Sequence, residues 1–120
     1  MTITETLTLT VETMGITDGA GIDCAEVRIE SASRLVSKGR CYRREMSLES
    51  SVARALEGAV GGALLAGVPV EALLAVAERV HADDETWSAA EDRDGVWSVV
   101  TREYEVRSIA AADPSLTEDA

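Results

Sequence analysis

The apolar residues of this chain change their spacing twice, and this change limits the possible folds more than any other feature. Before residue 44 they alternate with polar residues, as Leu7, Leu9 and Val11 do. Between residues 48 and 82 they recur every three or four positions, and after residue 96 alternation returns. A period of two is typical of half-buried strands, and a period near 3.6 is typical of amphipathic helices. Strands that come in runs predict an α+β fold with a mostly antiparallel sheet of four to six strands.

The strands are expected at both ends of the chain. The alternation predicts a first strand over residues 3–12 and a second over residues 25–30, separated by a glycine-rich loop at residues 15–21. Residues 31–37 are ambiguous, although Leu35 and Val36 favour the start of a third strand. Lys38 and Gly39 then predict a turn into a fourth short strand over residues 40–44. Residues 96–109 predict one further stretch of strand, with a change of face near Val99.

Two consecutive helices are expected at residues 48–66 and 69–82, packed together on one face of the sheet. Ser47 suits the N-cap of the first helix, Gly67 its C′ position and Pro69 the first turn of the second. The first helix carries a wide apolar face, formed by Leu48, Val52, Ala55, Leu56, Ala59, Val60, Ala63 and Leu64. The second has a stripe predicted to be buried, formed by Val70, Leu73, Leu74, Ala77 and Val80.

The remaining residues complete a one-domain organisation. The acidic residues 81–94 predict a polar connection with a turn near Asp94. Residues 1–110 are expected to form a single domain, and residues 111–120 a flexible acidic tail. Three glycines inside the first helix, Gly58, Gly61 and Gly62, favour tight packing on the second helix or on a partner's helix. Close approach to a ligand is the alternative.

Charge and cysteine content exclude several classes of protein. The net charge is −11, which argues against a protein that coats DNA or RNA and disfavours an anionic membrane surface. The N-terminus has no basic and apolar regions typical of a signal peptide, and the most apolar window, residues 59–70, is too short to span a membrane. Two cysteines favour reduced thiols in the cytoplasm, with one disulfide as the alternative.

Common catalytic and metal signatures are absent from the sequence, which predicts a protein that is not an enzyme and has no metal or cofactor. There is one histidine, and there is no Cys-x-x-Cys pair, phosphate-binding glycine loop or Gly-x-Ser-x-Gly motif. Two weaker alternatives remain open. One is a cation site formed by His81, Asp83, Asp84 and Glu85. The other is a reactive thiol at Cys41, which has Arg40, Arg43 and Arg44 beside it.

Cations are concentrated just before the first helix, and they suggest an anion site. Five of the eleven basic residues lie there, with no acid between them: Arg34, Lys38, Arg40, Arg43 and Arg44. Because a helix N-terminus attracts anions, Arg40, Arg43, Arg44 and Ser47 are candidates to hold phosphate. Trp97 and Tyr104, or Trp87, could stack on a base, although each also suits the core. The alternative is that the arginines pair with the protein's own acids, within one chain or across a subunit interface.

The stretch SLESSVARALEGAVGGALLAGVPVEALL resembles the helical half of the TSCPD-type domain at the end of vitamin-B12-dependent ribonucleotide reductases. The matching residues are Ser47, Leu48, Ala59, Val60, Ala63, Leu64, Gly67, Val68, Pro69, Val70, Glu71 and Leu73. The family's Cys-Pro motif, its paired cysteines and the reductase barrel are missing here. The resemblance therefore implies a free-standing domain without catalysis. In size and architecture alone, the chain is also similar to phage Thoeris anti-defence sponge proteins.

Two functions follow from these features. The first is non-catalytic capture of a small phosphate-bearing ligand, such as a nucleotide or a cyclic nucleotide signal, by sponge-like sequestration in viral anti-defence. The second is a regulatory or structural accessory subunit, related to the reductase C-terminal domain, with no ligand of its own. Self-association as a dimer or larger assembly is expected in either case, because a 120-residue chain without phenylalanine has little core to bury.

Overall fold

The structure is a computed structural model that describes residues 4–14, 24–42, 47–91 and 97–110. Its elements, in chain order, are strands β1 (Thr4–Met14), β2 (Cys24–Glu30) and β3 (Leu35–Tyr42), helices α1 (Leu48–Leu65), α2 (Val70–Ala82) and α3 (Asp84–Ala89), and strand β4 (Val100–Ala110). The described strands form one antiparallel sheet in the order β3-β2-β1-β4. The predicted α+β fold with an antiparallel sheet is therefore confirmed.

One face of the sheet forms the core together with the helices. Leu9 in β1 pairs with Ile29 in β2 on one side and with Tyr104 in β4 on the other. Leu7, Leu9 and Val11 are fully buried on this face, as the alternation of β1 predicts. Helix α1 packs over β2 and β3, whereas α2 packs over β4. The opposite face of the sheet, called here the open face, carries the charged residues of β2 and β3.

Both long helices were predicted to within one residue at each end. The side chain of Ser47 accepts a hydrogen bond from the Ser50 N–H, so Ser47 is the N-cap of α1. The chain leaves α1 through Gly67, whose φ of 98° is a left-handed conformation that glycine adopts without steric cost. The Val68 N–H donates to the Ala63 carbonyl and closes the turn into α2.

The prediction of a turn at Gly39 is wrong, because residues 35–42 form the single strand β3. Glycine is required there for a different reason. A Cβ on Gly39 would lie 2.0 Å from the Ala55 carbonyl oxygen and 2.6 Å from the Ala59 nitrogen of α1. The helix therefore lies directly against the strand, and the Ser37 hydroxyl donates to the Ala59 carbonyl at 2.7 Å.

The same contact explains two of the three glycines in α1. A Cβ on Gly58 would lie 3.3 Å from the Gly39 Cα atom, and one on Gly62 would lie 3.0 Å from the Ser37 Cβ atom. Their close neighbour in the described residues is thus β3 and not the predicted α2, while packing on a partner's helix, the other predicted possibility, stays a prediction. A Cβ on Gly61 would meet nothing within 4 Å.

The acidic connection after α2 contains a short helix that the sequence did not predict. Asp84 and Glu85 occupy the first turn of α3, where negative side chains favour the helix dipole. Trp87 is buried, and its indole N–H donates to the Val80 carbonyl at 3.1 Å. The buried Trp87 ring holds α3 against α2, a contact that the polar composition of residues 81–94 did not predict.

Several predicted features lie outside the described residues: the loop at residues 15–21, Arg43, Arg44, the turn near Asp94 and the tail at residues 111–120. Within the described ranges, no helix is both long enough and apolar enough to cross a membrane.

Candidate functional site

The N-terminus of α1, where the sequence predicts a phosphate, holds a carboxylate of the protein itself. The Leu48 N–H donates to Oε1 of Glu91 at 3.3 Å, while the Ser50 N–H is bound by the Ser47 side chain. Oε2 of Glu91 accepts a hydrogen bond from the Trp97 indole N–H at 3.0 Å. A side chain that follows α3 thus supplies the anion that the helix dipole favours. The sequence around Glu91 gives no local sign of this contact, because its partner lies 43 residues away.

Trp97 is part of the core. It is 3% exposed, and its backbone forms an isolated bridge with Glu91. In this arrangement its ring packs inside the protein and its N–H holds Glu91. The predicted stacking of Trp97 on a base would require the ring to leave this position.

Arg40 lies on the open face of the sheet, away from α1. Its Nη2 atom lies 2.8 Å from Oε2 of Glu26, and its Nη1 donates to the Tyr42 hydroxyl at 3.2 Å. In the sheet register, Glu12, Glu26 and Arg40 stand in one row across β1, β2 and β3. The contacts of Arg40 therefore agree with the alternative interpretation, in which the arginines pair with the protein's own acids.

Glu26 is the centre of this charged row. It is 5% exposed and contacts two guanidinium groups, that of Arg40 and that of Arg28, whose Nη1 lies 3.3 Å away. Arg28 also binds Glu12 at 2.9 Å. Burial alone would raise the pKa of Glu26, but the hydrogen bonds from Arg40 and Arg28 outweigh it and hold the pKa below its ordinary value. The row is a satisfied ion-pair network.

Tyr104 lies on the helix side of β4 and connects that strand to the end of α2. Its hydroxyl donates to Oδ2 of Asp83, and Nη2 of Arg102 lies 3.7 Å from the same oxygen. Burial, followed by the bond to Asp83, raises the pKa of the Tyr104 phenol. The described candidates therefore fall in three places: Ser47 and Trp97 at the start of α1, Arg40 on the open face, and Tyr104 at the end of α2.

Groups suited to metal or thiol chemistry are not brought together in the described part of the chain. There, no group of three or more His, Cys, Asp or Glu side chains could hold a metal ion. His81 is exposed, and Asp83 is bound to Tyr104. Neither Cys24 nor Cys41 forms a disulfide bond. Cys24 pairs with Tyr42 and Cys41 with Ala25, so the two thiols lie on opposite faces of the sheet. Burial raises the pKa of the Cys24 thiol, which disfavours the reactive thiolate.

The junction of α1 and α2 exposes large aliphatic side chains, and we call it the α1–α2 corner. It consists of Leu64 and Leu65 at the end of α1 and Val70 and Leu74 at the start of α2. Leu65 is 92% exposed and Leu74 is 59% exposed. Val70 and Leu74 were predicted to be buried, and this prediction is wrong. The apolar stripe of α2 is wider than the face that the sheet covers.

A groove of about 460 Å³ lies between α2 and β4. It is lined by Ala72, Ala75, Val76, Arg79 and Glu105. Arg79 spans it, since its Nη2 donates to the backbone carbonyl of Glu105. The described lining therefore offers an apolar wall and a guanidinium already bound to the backbone, without an acid–base pair.

Comparison with protein-family models, with curated proteins and with solved structures gives no match for this chain. The resemblances to the TSCPD-type domain and to the anti-defence sponge proteins stay predictions.

Proposed function

We propose that this chain is a non-catalytic accessory protein that acts by binding another protein chain, and that the α1–α2 corner is its binding surface. We place this action in the cytoplasm, where cysteines that form no disulfide bond, such as Cys24 and Cys41, stay reduced. The resemblance of residues 47–74 to the TSCPD-type domain makes a ribonucleotide reductase subunit the first partner to test.

The exposure of the corner is the observation that carries this proposal. Four large aliphatic side chains are exposed at adjoining helix ends, whereas the other exposed large apolar side chains of the described residues, Leu35, Tyr42 and Val99, lie singly at the two ends of β3 and just before β4. Grouped exposed apolar side chains on a folded protein mark interaction sites, whereas apolar side chains exposed singly are ordinary. By contrast, the carboxylates of Glu26, Asp83 and Glu91, a type of group that acid–base catalysis uses, are each bound to another side chain of the protein.

Site-specific photo-cross-linking tests the proposal. A benzoylphenylalanine side chain is placed at position 65 or, as the control, at position 99, because Val99 is also exposed but lies outside the corner, two residues after Trp97, which binds Glu91 at the start of α1. The variants are irradiated in cell extract from the source of the chain and with purified reductase subunits. We expect protein adducts, including adducts between copies of this chain, from position 65 but not from position 99. Equal yields from the two positions, or no protein adduct at position 65, would contradict the proposal.

A second candidate function is capture of a small phosphate-bearing ligand at the start of α1. The favouring observation is that this helix end already holds an anion, the carboxylate of Glu91, bound by the Leu48 N–H. Arg43 and Arg44 lie four and three residues before Ser47 in sequence, separated from it by Glu45 and Met46. A ligand phosphate would replace the carboxylate there, with Arg40 and Tyr104 recruited only by rearrangement of their present contacts.

Calorimetry separates the two functions. Small molecules released by heating the purified protein are identified by mass spectrometry, and these and a nucleotide panel are titrated into the wild type. If a ligand binds, Arg43→Glu with Arg44→Glu should weaken it by about a hundredfold or more, since each charge-assisted contact contributes ~1.5–3 kcal/mol. Arg34→Glu with Lys38→Glu makes the same charge change elsewhere and should leave binding intact. Absence of any binding in the wild type would remove this candidate.

A further inference from the structure

We propose that the partner of the α1–α2 corner is a second copy of this chain, so that the protein is a homodimer joined corner to corner. This inference rests on the proposed function, because it names the chain that the corner binds.

Charge is the first reason to choose a second copy. Two copies each carry a net charge of −11 and repel one another over most of their surface. Residues 58–70 form the longest stretch of the chain without a charged residue, and the corner lies at its end. Between residues 58 and 77 the only charged residue is Glu71. At the corner, two copies meet through aliphatic side chains, while the exposed carboxylate of Glu71, beside Val70, has to stay at the rim of the interface in contact with water.

The chemistry of the corner is self-complementary, which is the second reason. An interface around a two-fold axis places the same patch on both sides, so every group must accept its own kind. Leu64, Leu65, Val70 and Leu74 carry only aliphatic groups and need no hydrogen-bond partner. A basic partner would be drawn instead to the acidic surface elsewhere, and an anionic membrane would repel the chain.

The other surfaces open to a second copy fit less well. The open face of the sheet carries the row of Glu12, Glu26 and Arg40, whose charges are already paired with one another or with Arg28. Strand β4 has a free edge, but Glu103 and Glu105 lie on it. Antiparallel pairing of two β4 strands centred on residues 103–105 would place these carboxylates opposite one another, which is destabilising.

Sedimentation equilibrium over a range of protein concentrations tests this inference with three variants. Leu65→Lys combined with Leu74→Lys places two charges in the corner and should raise the dimer dissociation constant by about a hundredfold or more. Leu65→Lys alone should act in the same direction and cost little folding stability, because Leu65 is 92% exposed. Val99→Lys is the matched control, since Val99 is 71% exposed and lies outside the corner, two residues after Trp97; it should leave the dimer intact.

Salt gives a second readout. Raising the ionic strength screens the repulsion between two acidic copies, so the wild-type dimer should tighten with salt, whereas a complex with a basic partner would loosen. The inference is overturned if the wild type is monomeric at 100 μM and 0.5 M salt, if the folded corner variants stay dimeric, or if Val99→Lys alone dissociates the dimer. A monomeric wild type that still cross-links to a different chain from position 65 would leave the proposed function standing and remove only this inference.

Discussion

The two ends of α1, about 27 Å apart for 18 residues, meet the rest of the protein in opposite ways. At the N-terminal end, Ser47 and Glu91 bind backbone donors, and Trp97 fixes Glu91 from inside the core. At the C-terminal end, the α1–α2 corner leaves Leu64 and Leu65 in solvent. The N-terminal end is therefore bound by side chains of the same protein, whereas the C-terminal end exposes apolar side chains to solvent.

This difference shows which end is available for function. A ligand at the N-terminal end must displace internal contacts, which reduces its net binding free energy. A partner at the corner removes apolar surface from water and displaces no internal contact, so each side chain it covers contributes favourably. The predicted phosphate site and the exposed corner are therefore unequal candidates, although the sequence draws attention to the first.

The largest expected effect is on the free energy of unfolding, which should respond very differently to substitutions at the two ends of α1. Trp97→Ala should lower the free energy of unfolding by ~3–5 kcal/mol, because it leaves a cavity in the core and frees Glu91. Leu65→Ala, at the corner, should change it by about 0.5 kcal/mol or less in the monomer. Urea denaturation of both variants measures the contrast. Similar losses in the two would mean that the ends do not differ as described.

The next effect concerns the contact between the middle of α1 and strand β3. Gly39→Ala should destabilise the protein by about 1–3 kcal/mol or more, because the new Cβ has to push α1 away from β3. Thermal unfolding checks this loss. Gly61→Ala is the matched control; with open space around it, it should stabilise α1 by up to ~1 kcal/mol. A harmless Gly39→Ala would contradict the close approach of helix and strand.

The smallest expected effect is a dependence of folding stability on pH. It arises from the charged row of Glu12, Glu26 and Arg40, whereas the aliphatic side chains of the corner do not titrate. Because the folded pKa of Glu26 lies below its unfolded value of 4.5, its ion pairs stabilise the protein above that value. This stability is lost as the pH falls through the lower, folded pKa. Urea titrations from pH 6 to pH 3 should show a shallower decline for Glu26→Gln than for the wild type. Parallel curves would show that Glu26 is not held charged by its arginines.

Local pattern determined most of the fold by itself. The period of two in β1 and β2 and the period near 3.6 in α1 and α2 appear where they were predicted, because each reports which side chains one element can bury. Ser47 and Gly67 mark the limits of α1 for equally local reasons: a side chain that caps the first turn, and a left-handed φ that ends the helix.

Contacts between distant residues were decided only by the tertiary structure. Together with Lys38, Gly39 suggests a turn in the sequence. In the structure it lies within a strand, and α1 packs so close to it that the position has no room for a side chain. The contacts of Glu91 with Leu48 and of Arg40 with Glu26 have no local sign in the sequence, because the paired residues are 43 and 14 positions apart. Periodicity shows that Val70 and Leu74 are apolar, but how much of that face is covered depends on the width of the sheet beneath α2. The corner is exposed because four strands and two long helices do not cover it.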